Sequence, residues 1–177
     1  MSDAELIASV LAGHSDAFDA LVDRYYEACA RFSVRMLGNR QDAEDAMQEA
    51  FLRAYRSLAR YQERDAFRPW LFRILVNQCR TLARRRTRRE LRFVSNPDAL
   101  LHAKDEKEDA FDVRDALQNA LSALEPILKE ALLLKYGEGL DYREMAAATG
   151  ASVPALKMRV KRACDAMRPR LEAMLNG

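Results

Sequence analysis

The chain has 177 residues, of which 49% are hydrophobic and 32% charged, and a formal net charge of only +2. That length holds one medium domain or, in better keeping with the composition, two small ones; 6 glycines and 5 prolines are too few for a turn-rich sandwich or barrel. Cys29, Cys79 and Cys164 lie far apart without a CxxC pair, with only His14 and His102 beside them. A zinc site or a catalytic triad therefore has little material, and the thiols read as buried or incidental in a reducing cytoplasm. No apolar run approaches the roughly 20 residues a membrane helix needs, so no membrane insertion is expected and the location predicted is cytoplasmic.

In chain order, Ser2 and Ser15 both stand where a helix N-cap belongs. The second precedes an apolar series at helical spacing (Phe18, Leu21, Val22, Tyr25, Cys29, Phe32, Met36) that Gly38 is placed to stop. The next segment, DAEDAMQEAFLRAYRSL over Asp42–Leu58, has one stripe of Ala43, Met47, Ala50, Phe51, Ala54 and Leu58 for packing. Asp45, Gln48, Glu49, Leu52 and Arg56 fall on its other side. A fourth helix is predicted to start near Pro69, burying Trp70, Leu71, Ile74, Leu75 and Leu82 before it ends in an arginine run. That run hides behind the mean charge: Arg80, Arg84, Arg85, Arg86, Arg88, Arg89 and Arg92 stand against the single acid Glu90.

After Phe93 the apolar pattern dissolves among Asp98, Asp105, Glu106, Glu108, Asp109 and Asp112, which reads as an acidic linker. Apolar stripes resume at Val113 to Leu124 and again from Pro126 to Leu134, with a loop at Gly137 to Leu140. Asp141 and Glu144 have the spacing of a capping box opening the short helix YREMAAAT, Gly150 supplies a turn, and Ser152, Val153 and Pro154 lead a longer helix. This is a helix-turn-helix pattern. Leu156, Val160, Ala163 and Met167 would pack inward, leaving Lys157, Met158, Lys161 and Arg162 to a ligand. The fold class expected is all-α: two small helical domains joined by a flexible acidic linker, the C-terminal one a helix-turn-helix. The boundaries expected are 1–95, 96–112 for the linker, and 113–177.

A basic second helix suits a helix-turn-helix because its first turns meet phosphates and guanine edges in the major groove; the alternative is a helical hairpin with a basic solvated face. The arginine run alone is equally a solvated helix end favoured by the helix dipole. Tyr61, Phe67, Trp70 and Phe72 beside it shift the balance toward single-stranded nucleic acid, which needs stacking as well as phosphate neutralisation. The acidic face repels phosphate and calls for a basic protein partner, unless it is an ordinary solvated side with acids at the N-terminal turn. No Walker loop, HExxH or GxSxG is present, and neither an enzyme, a cofactor nor a metal is expected.

Three of these stretches, in this order, resemble the extracytoplasmic-function sigma factors, the two-domain bacterial transcription initiation factors. DAEDAMQEAFLRAYRSL is similar to the family's core-polymerase-binding helix, FRPWLFRILVNQCRTLARRR to its promoter-melting and minus-ten-reading helix, and LDYREMAAATGASVPALKMRVKRACDAMR to its C-terminal DNA-binding domain. The resemblance implies that Asp45, Gln48, Glu49 and Leu52, with Phe51 helping from the core, contact the clamp helices of the RNA polymerase largest subunit. It implies minus-ten contacts by Asn77, by the segment Tyr61–Phe67 with Tyr61, Arg64 and Phe67, and by Arg80, Arg84 and Arg85. Lys157, Met158, Lys161 and Arg162, with Ser152 at the helix start, match minus-thirty-five contacts. An anti-sigma factor is a further expected partner.

The chain departs from the family where Pro154 and Ala155 replace a common Gly-Thr, where Met158 replaces a small polar residue, and where Cys164 stands in place of a frequent arginine. Hydroxyl contacts to DNA are thereby missing, so the promoter sequence is not transferable. Two other readings remain open: a conventional helix-turn-helix transcriptional regulator, and a sigma mimic that sequesters an anti-sigma factor.

Overall fold

The computed structural model describes residues 1–62, 66–94 and 113–175; the expected linker and Arg64 lie outside these. Among the described residues the chain is helical with no strand. An N-terminal domain contains α1 (Asp3–Leu11), α2 (Ala17–Leu37), α3 (Arg40–Ser57) and α4 (Phe67–Val94), and a C-terminal domain contains α5 (Val113–Ser122), α6 (Pro126–Leu132), α7 (Tyr142–Thr149) and α8 (Val153–Leu175). The all-helical, two-domain expectation holds.

Helix ends follow local chemistry. Ser2 opens α1 with a capping box: its Oγ accepts from the Glu5 N–H at 3.3 Å and the Glu5 carboxylate accepts from the Ser2 N–H at 2.6 Å. The expectation for Ser15 is corrected. Asp16 holds the cap position of α2 and makes no side-chain cap bond. The chain enters this helix through a turn in which the Ala17 and Phe18 N–H groups donate to the His14 and Ser15 carbonyls, so the first donors already have partners. Gly38 closes α2 in the left-handed region at φ +67°, its N–H donating to the Val34 carbonyl at 2.8 Å, a conformation in which a Cβ would be strained. α4 begins at Phe67, placing Pro69 in a first turn that does not need its missing N–H.

The N-terminal core forms where α2, α3 and α4 meet. Ala43, Ala46, Ala50 and Ala54 give α3 a buried stripe small enough for close helix approach, and Phe32 meets Phe72 edge to face at 5.7 Å. In the C-terminal domain Leu134, Leu140, Met145, Leu156, Val160, Ala163 and Met167 are buried, including all four positions expected to pack inward from α8.

The two cores are continuous. α7 packs against α4, and α6 and the π-helical turn Leu133–Gly137 reach α2. Two ion pairs cross this junction. Glu138, its side chain 1% exposed, accepts from Arg31 at 2.8 and 3.2 Å; Glu130, its side chain 4% exposed, accepts from Arg80 at 2.7 and 2.8 Å. These hydrogen bonds raise the pKa of both guanidiniums above the ordinary arginine value. Arg68 donates to the Glu138 carbonyl and Gln118 to the Arg35 carbonyl, so backbone groups of both domains take part.

Candidate functional site

The outward side of α3 is acidic with an apolar centre. Asn39 caps the helix by accepting from the Asp42 N–H at 2.9 Å, which fixes where the first turn begins and so which side chains face out. Asp45 and Gln48 are exposed, Leu52 is 50% exposed, and Phe51 is half-buried against the core, as expected of a residue supporting the face from below. Glu49 accepts from Arg53 at 2.5 Å, one turn on. An exposed leucine with Asp45, Gln48 and Glu49 on its N-terminal side suits a rigid basic helix, with charge setting orientation and encounter rate.

Next to this face the same domain turns basic. Asn77, Arg84 and Arg85 are exposed on α4. A cleft of about 430 Å³ between α3 and α4 is lined by Arg53, Arg56, Ser57, Arg60, Ile74, Asn77 and Gln78. Gln78, with its amide oxygen turned to Arg53, accepts from that guanidinium at 3.1 Å. Arg53 and Arg60 bring cations to this cleft that are not among the residues expected from sequence, and Arg56 is expected only to face outward. Arg53 and Arg56 lie one turn apart on α3 and Arg60 follows in the short 3-10 helix Leu58–Arg60, a spacing present in the sequence and obscured by the acids around it.

At the start of α4 the aromatic residues form a cluster. Tyr61 lies 5.8 Å from Phe67 and 5.1 Å from Trp70, Phe67 lies 5.5 Å from Trp70, and Tyr25 closes the group at 5.5 Å from Phe67. Phe67 is only 3% exposed, so its ring supports the wall, while Tyr61 and Trp70 are half-buried at its edge. The Tyr25 hydroxyl donates to Asp3, and burial is the main cause of its pKa standing well above that of a free tyrosine. Arg24 also pairs with Asp3, fastening α1 onto α2 beneath the cluster. Arg80, expected among the minus-ten contacts, is turned instead toward Glu130 of the other domain.

The helix-turn-helix is built as its sequence suggests. Asp141 accepts from the Arg143 and Glu144 N–H groups at 2.7 and 2.8 Å, bonds that hold its carboxyl below the usual range, and Glu144 accepts from the Asp141 N–H at 2.8 Å. Gly150 turns the chain at φ +74°. Thr149 Oγ1 donates to the Met145 carbonyl and accepts from the Ala151 N–H, locking that turn. Ser152 Oγ accepts from the Ala155 N–H at 3.4 Å at the start of α8. Lys157, Met158, Lys161 and Arg162 are all exposed, and Lys157 Nζ lies 5.7 Å from the Tyr142 ring centre. Such a row offers cations for phosphates and a thioether for a base edge.

Among the described residues no helix is long and apolar enough to cross a membrane, and no cluster of three His, Cys, Asp or Glu is placed to hold a metal. Cys29 and Cys79 are buried, which is the main reason their thiols are pushed up to about 12.

Comparison with known proteins agrees with both halves. The Sigma-70 region 2 family model matches residues 21–89 and the Sigma-70, region 4 model residues 114–167. The chain is 32% identical to the RNA polymerase sigma-H factor of Pseudomonas aeruginosa, over 98% of this chain and 95% of that protein. It is 34% identical to the RNA polymerase sigma factor CarQ of Myxococcus xanthus, over 88% of this chain and 90% of that one. Among solved structures, CnrH in complex with the cytosolic domain of CnrY matches with a TM-score of 0.73 at 29% identity, covering 97% of each chain. The sigma factor RpoE, in complex with the anti-sigma factor NepR from Bartonella quintana, shares the fold with a TM-score of 0.69 at 23% identity, over 88% of this chain and 96% of that one. The same two regions, in the same order and over nearly the full length of its relatives, make this chain a member of the extracytoplasmic-function family of RNA polymerase sigma factors.

Proposed function

We propose that the protein is a dissociable promoter-specificity subunit of bacterial RNA polymerase, acting without catalysis of its own. The observation that carries this reading is the segregation of exposed charge: Asp45 and Glu49 leading to an exposed Leu52 on α3, and a row of Lys157, Met158, Lys161 and Arg162 on the second helix of a helix-turn-helix. The α3 face docks on the clamp helices of the polymerase largest subunit through Asp45, Gln48, Glu49 and Leu52, with Phe51 behind them. Tyr61, Asn77, Arg84 and Arg85, with the segment around Arg64, hold the melted minus-ten strand, and the buried Phe67 ring supports Tyr61 from behind. Extruding a base costs a few kcal/mol, which stacking on a half-buried aromatic edge offsets. The α8 row reads the minus-thirty-five duplex, with Met158 replacing hydroxyl contacts by apolar ones. An anti-sigma factor is the regulator we infer, since solved relatives were captured with such proteins or with a cytosolic domain of a partner. Recovery of polymerase but no second stoichiometric partner from cells would remove that element.

The test is transcription by purified core polymerase from a promoter library, with and without the chain. Defined transcripts that need the chain are expected, and Asp45→Lys with Glu49→Lys should abolish them. Like charges placed against a basic partner cost several kcal/mol, a loss of at least about a hundredfold in affinity. If no chain-dependent transcript appears with folded protein and active core, the regulator or mimic reading takes over, and duplex binding without polymerase decides between those two.

A further inference from the structure

The first turns of the second helix in a helix-turn-helix lie against base edges, and in α8 those turns carry few groups able to hydrogen-bond a base. At about 100° per residue, Met158 falls almost opposite the middle of the inward stripe of Leu156, Val160, Ala163 and Met167, and it is 52% exposed. Pro154, also exposed, lies one turn before it on the same side, and Ala155 lies beside both. The centre of the outward face is therefore apolar. Cations stand around that centre: Lys157 on one flank, with Nζ 5.7 Å from the Tyr142 ring centre, and Lys161 and Arg162 one turn on. The Ser152 hydroxyl oxygen is already engaged with the Ala155 N–H at 3.4 Å, and Arg159 is half-buried in a cleft that it shares with Thr149 and Glu130.

This distribution decides what the centre recognises. In the major groove guanine, adenine and cytosine present only hydrogen-bonding atoms, whereas thymine adds a methyl group. A thioether is at most a weak acceptor. Pressed against a purine edge or a cytosine amine, it strips water from those groups and returns no hydrogen bond. Pressed against a methyl group, it buries apolar surface on both partners, and its unbranched, flexible chain adapts to the position of that methyl. We propose that Met158 is a specificity-determining residue of α8, selecting thymine through its 5-methyl group, while Lys157, Lys161 and Arg162 neutralise flanking phosphates. Pro154 and Ala155 contribute by offering no competing polar group beside it. The assignment deepens the function proposed above by naming the base, and it rests on α8 lying in the major groove, which the sigma and regulator readings share.

The test replaces thymine by uracil, which removes the methyl group and nothing else. Holoenzyme assembled from core polymerase and the full chain is bound to duplexes of a promoter found in the library. Each duplex has one minus-thirty-five thymine, of either strand, changed to uracil, and affinity is read by fluorescence anisotropy. One position should weaken by about fourfold, the effect of leaving one methyl group unburied. Cytosine there should weaken binding further, and 5-methylcytosine should recover part of the loss. Met158→Ser should abolish the difference between thymine and uracil, and Met158→Leu should keep it. Lys161→Ala serves as the contrast: it should weaken the thymine and uracil duplexes equally and make the salt dependence shallower.

Uracil tolerated at every position by wild type, or a difference between thymine and uracil that survives Met158→Ser, overturns the assignment and leaves the sigma reading standing. If the library yields no promoter, the sigma reading falls by itself. The same substitutions are then made in a duplex that the full chain selects from a random pool, with the same outcomes expected. A pool from which no sequence is selected overturns the assignment as well.

Discussion

α4 and α8 are both long helices that present arginine or lysine to solvent, but they stand differently toward the rest of the molecule. On α8 the apolar residues Leu156, Val160, Ala163 and Met167 make one inward stripe, and the opposite row is unobstructed. On α4, Phe67, Leu71, Phe72, Leu75, Val76 and Cys79 are all buried, because helices of the same domain pack on one side and α7 of the other domain adds cover. One helix presents a charged row on a firm base. The other is a structural axis, covered on one side by its own domain and in part by α7 of the other.

The largest effect that would sharpen this contrast is on α4. Phe72→Ala removes a fully buried ring that meets Phe32 and should destabilise the chain by about 3–5 kcal/mol in a urea titration. A loss under about 1 kcal/mol would mean that α4 is not the axis described. On α8 the corresponding change should leave stability alone. Lys157→Ala/Lys161→Ala is expected to shift unfolding by no more than about 0.5 kcal/mol, and to flatten the salt dependence of duplex binding by about 0.9 for each phosphate no longer neutralised. Destabilisation comparable to that of Phe72→Ala would show that these lysines are part of the fold.

An effect between these two tests how α8 is aimed. Gly150→Ala meets no neighbouring atom, but it forces a Cβ into the left-handed region at φ +74° and should cost about 1–2 kcal/mol. An unchanged midpoint in thermal unfolding would show that the turn relaxes. The smallest concerns the start of α7, the helix between the two being compared. The Asp141 carboxyl is held below its ordinary value by accepted backbone hydrogen bonds, so its contribution is complete above the unfolded carboxylate pKa and disappears as pH falls through the lower folded value. Asp141→Asn should therefore remove a component of acid destabilisation below about pH 4. An identical pH–stability profile for variant and wild type would show that the cap carries no such linkage.

How much of the molecule is legible in its sequence depends on how local each cause is. The Ser2 cap, the Asp141–Glu144 capping box, the Gly38 stop, the Gly150 turn and the inward stripe of α8 depend on residues within a turn or two of one another, and they appear as expected. The start of α2 departs from expectation because backbone turn bonds, which leave no mark in side-chain spacing, serve the donors that Ser15 is placed to cap. The junction is the feature least visible in the sequence. Glu130 and Glu138 have the look of ordinary acids of the C-terminal domain, and nothing in their neighbourhoods along the chain distinguishes a solvated carboxylate from one inserted beside an arginine many residues earlier. Arg80 is recognisable as part of a basic helix, but its partner belongs to tertiary structure. The candidate surfaces on α3 and α8 are legible because exposure is the default of a charged residue opposite an apolar stripe, whereas burial of charge needs a partner that periodicity does not name.

The length of α4 has a mechanical consequence. At 28 residues it extends about 42 Å, with the aromatic cluster at its first turns and the exit toward the second domain at Val94. On the proposed function the helix is thus a spar that sets the exit toward the second domain far from the point where a displaced base would be gripped. Residues 95–112 can span at most roughly 60 Å when fully drawn out. Helix and intervening residues together cover about 100 Å, more than the about 85 Å of duplex between elements roughly 25 base pairs apart, whereas the intervening residues alone fall short of it. On the proposed function, removing whole turns from α4, with the cluster and the arginines kept in phase, would therefore shorten the spacing between elements that one molecule bridges.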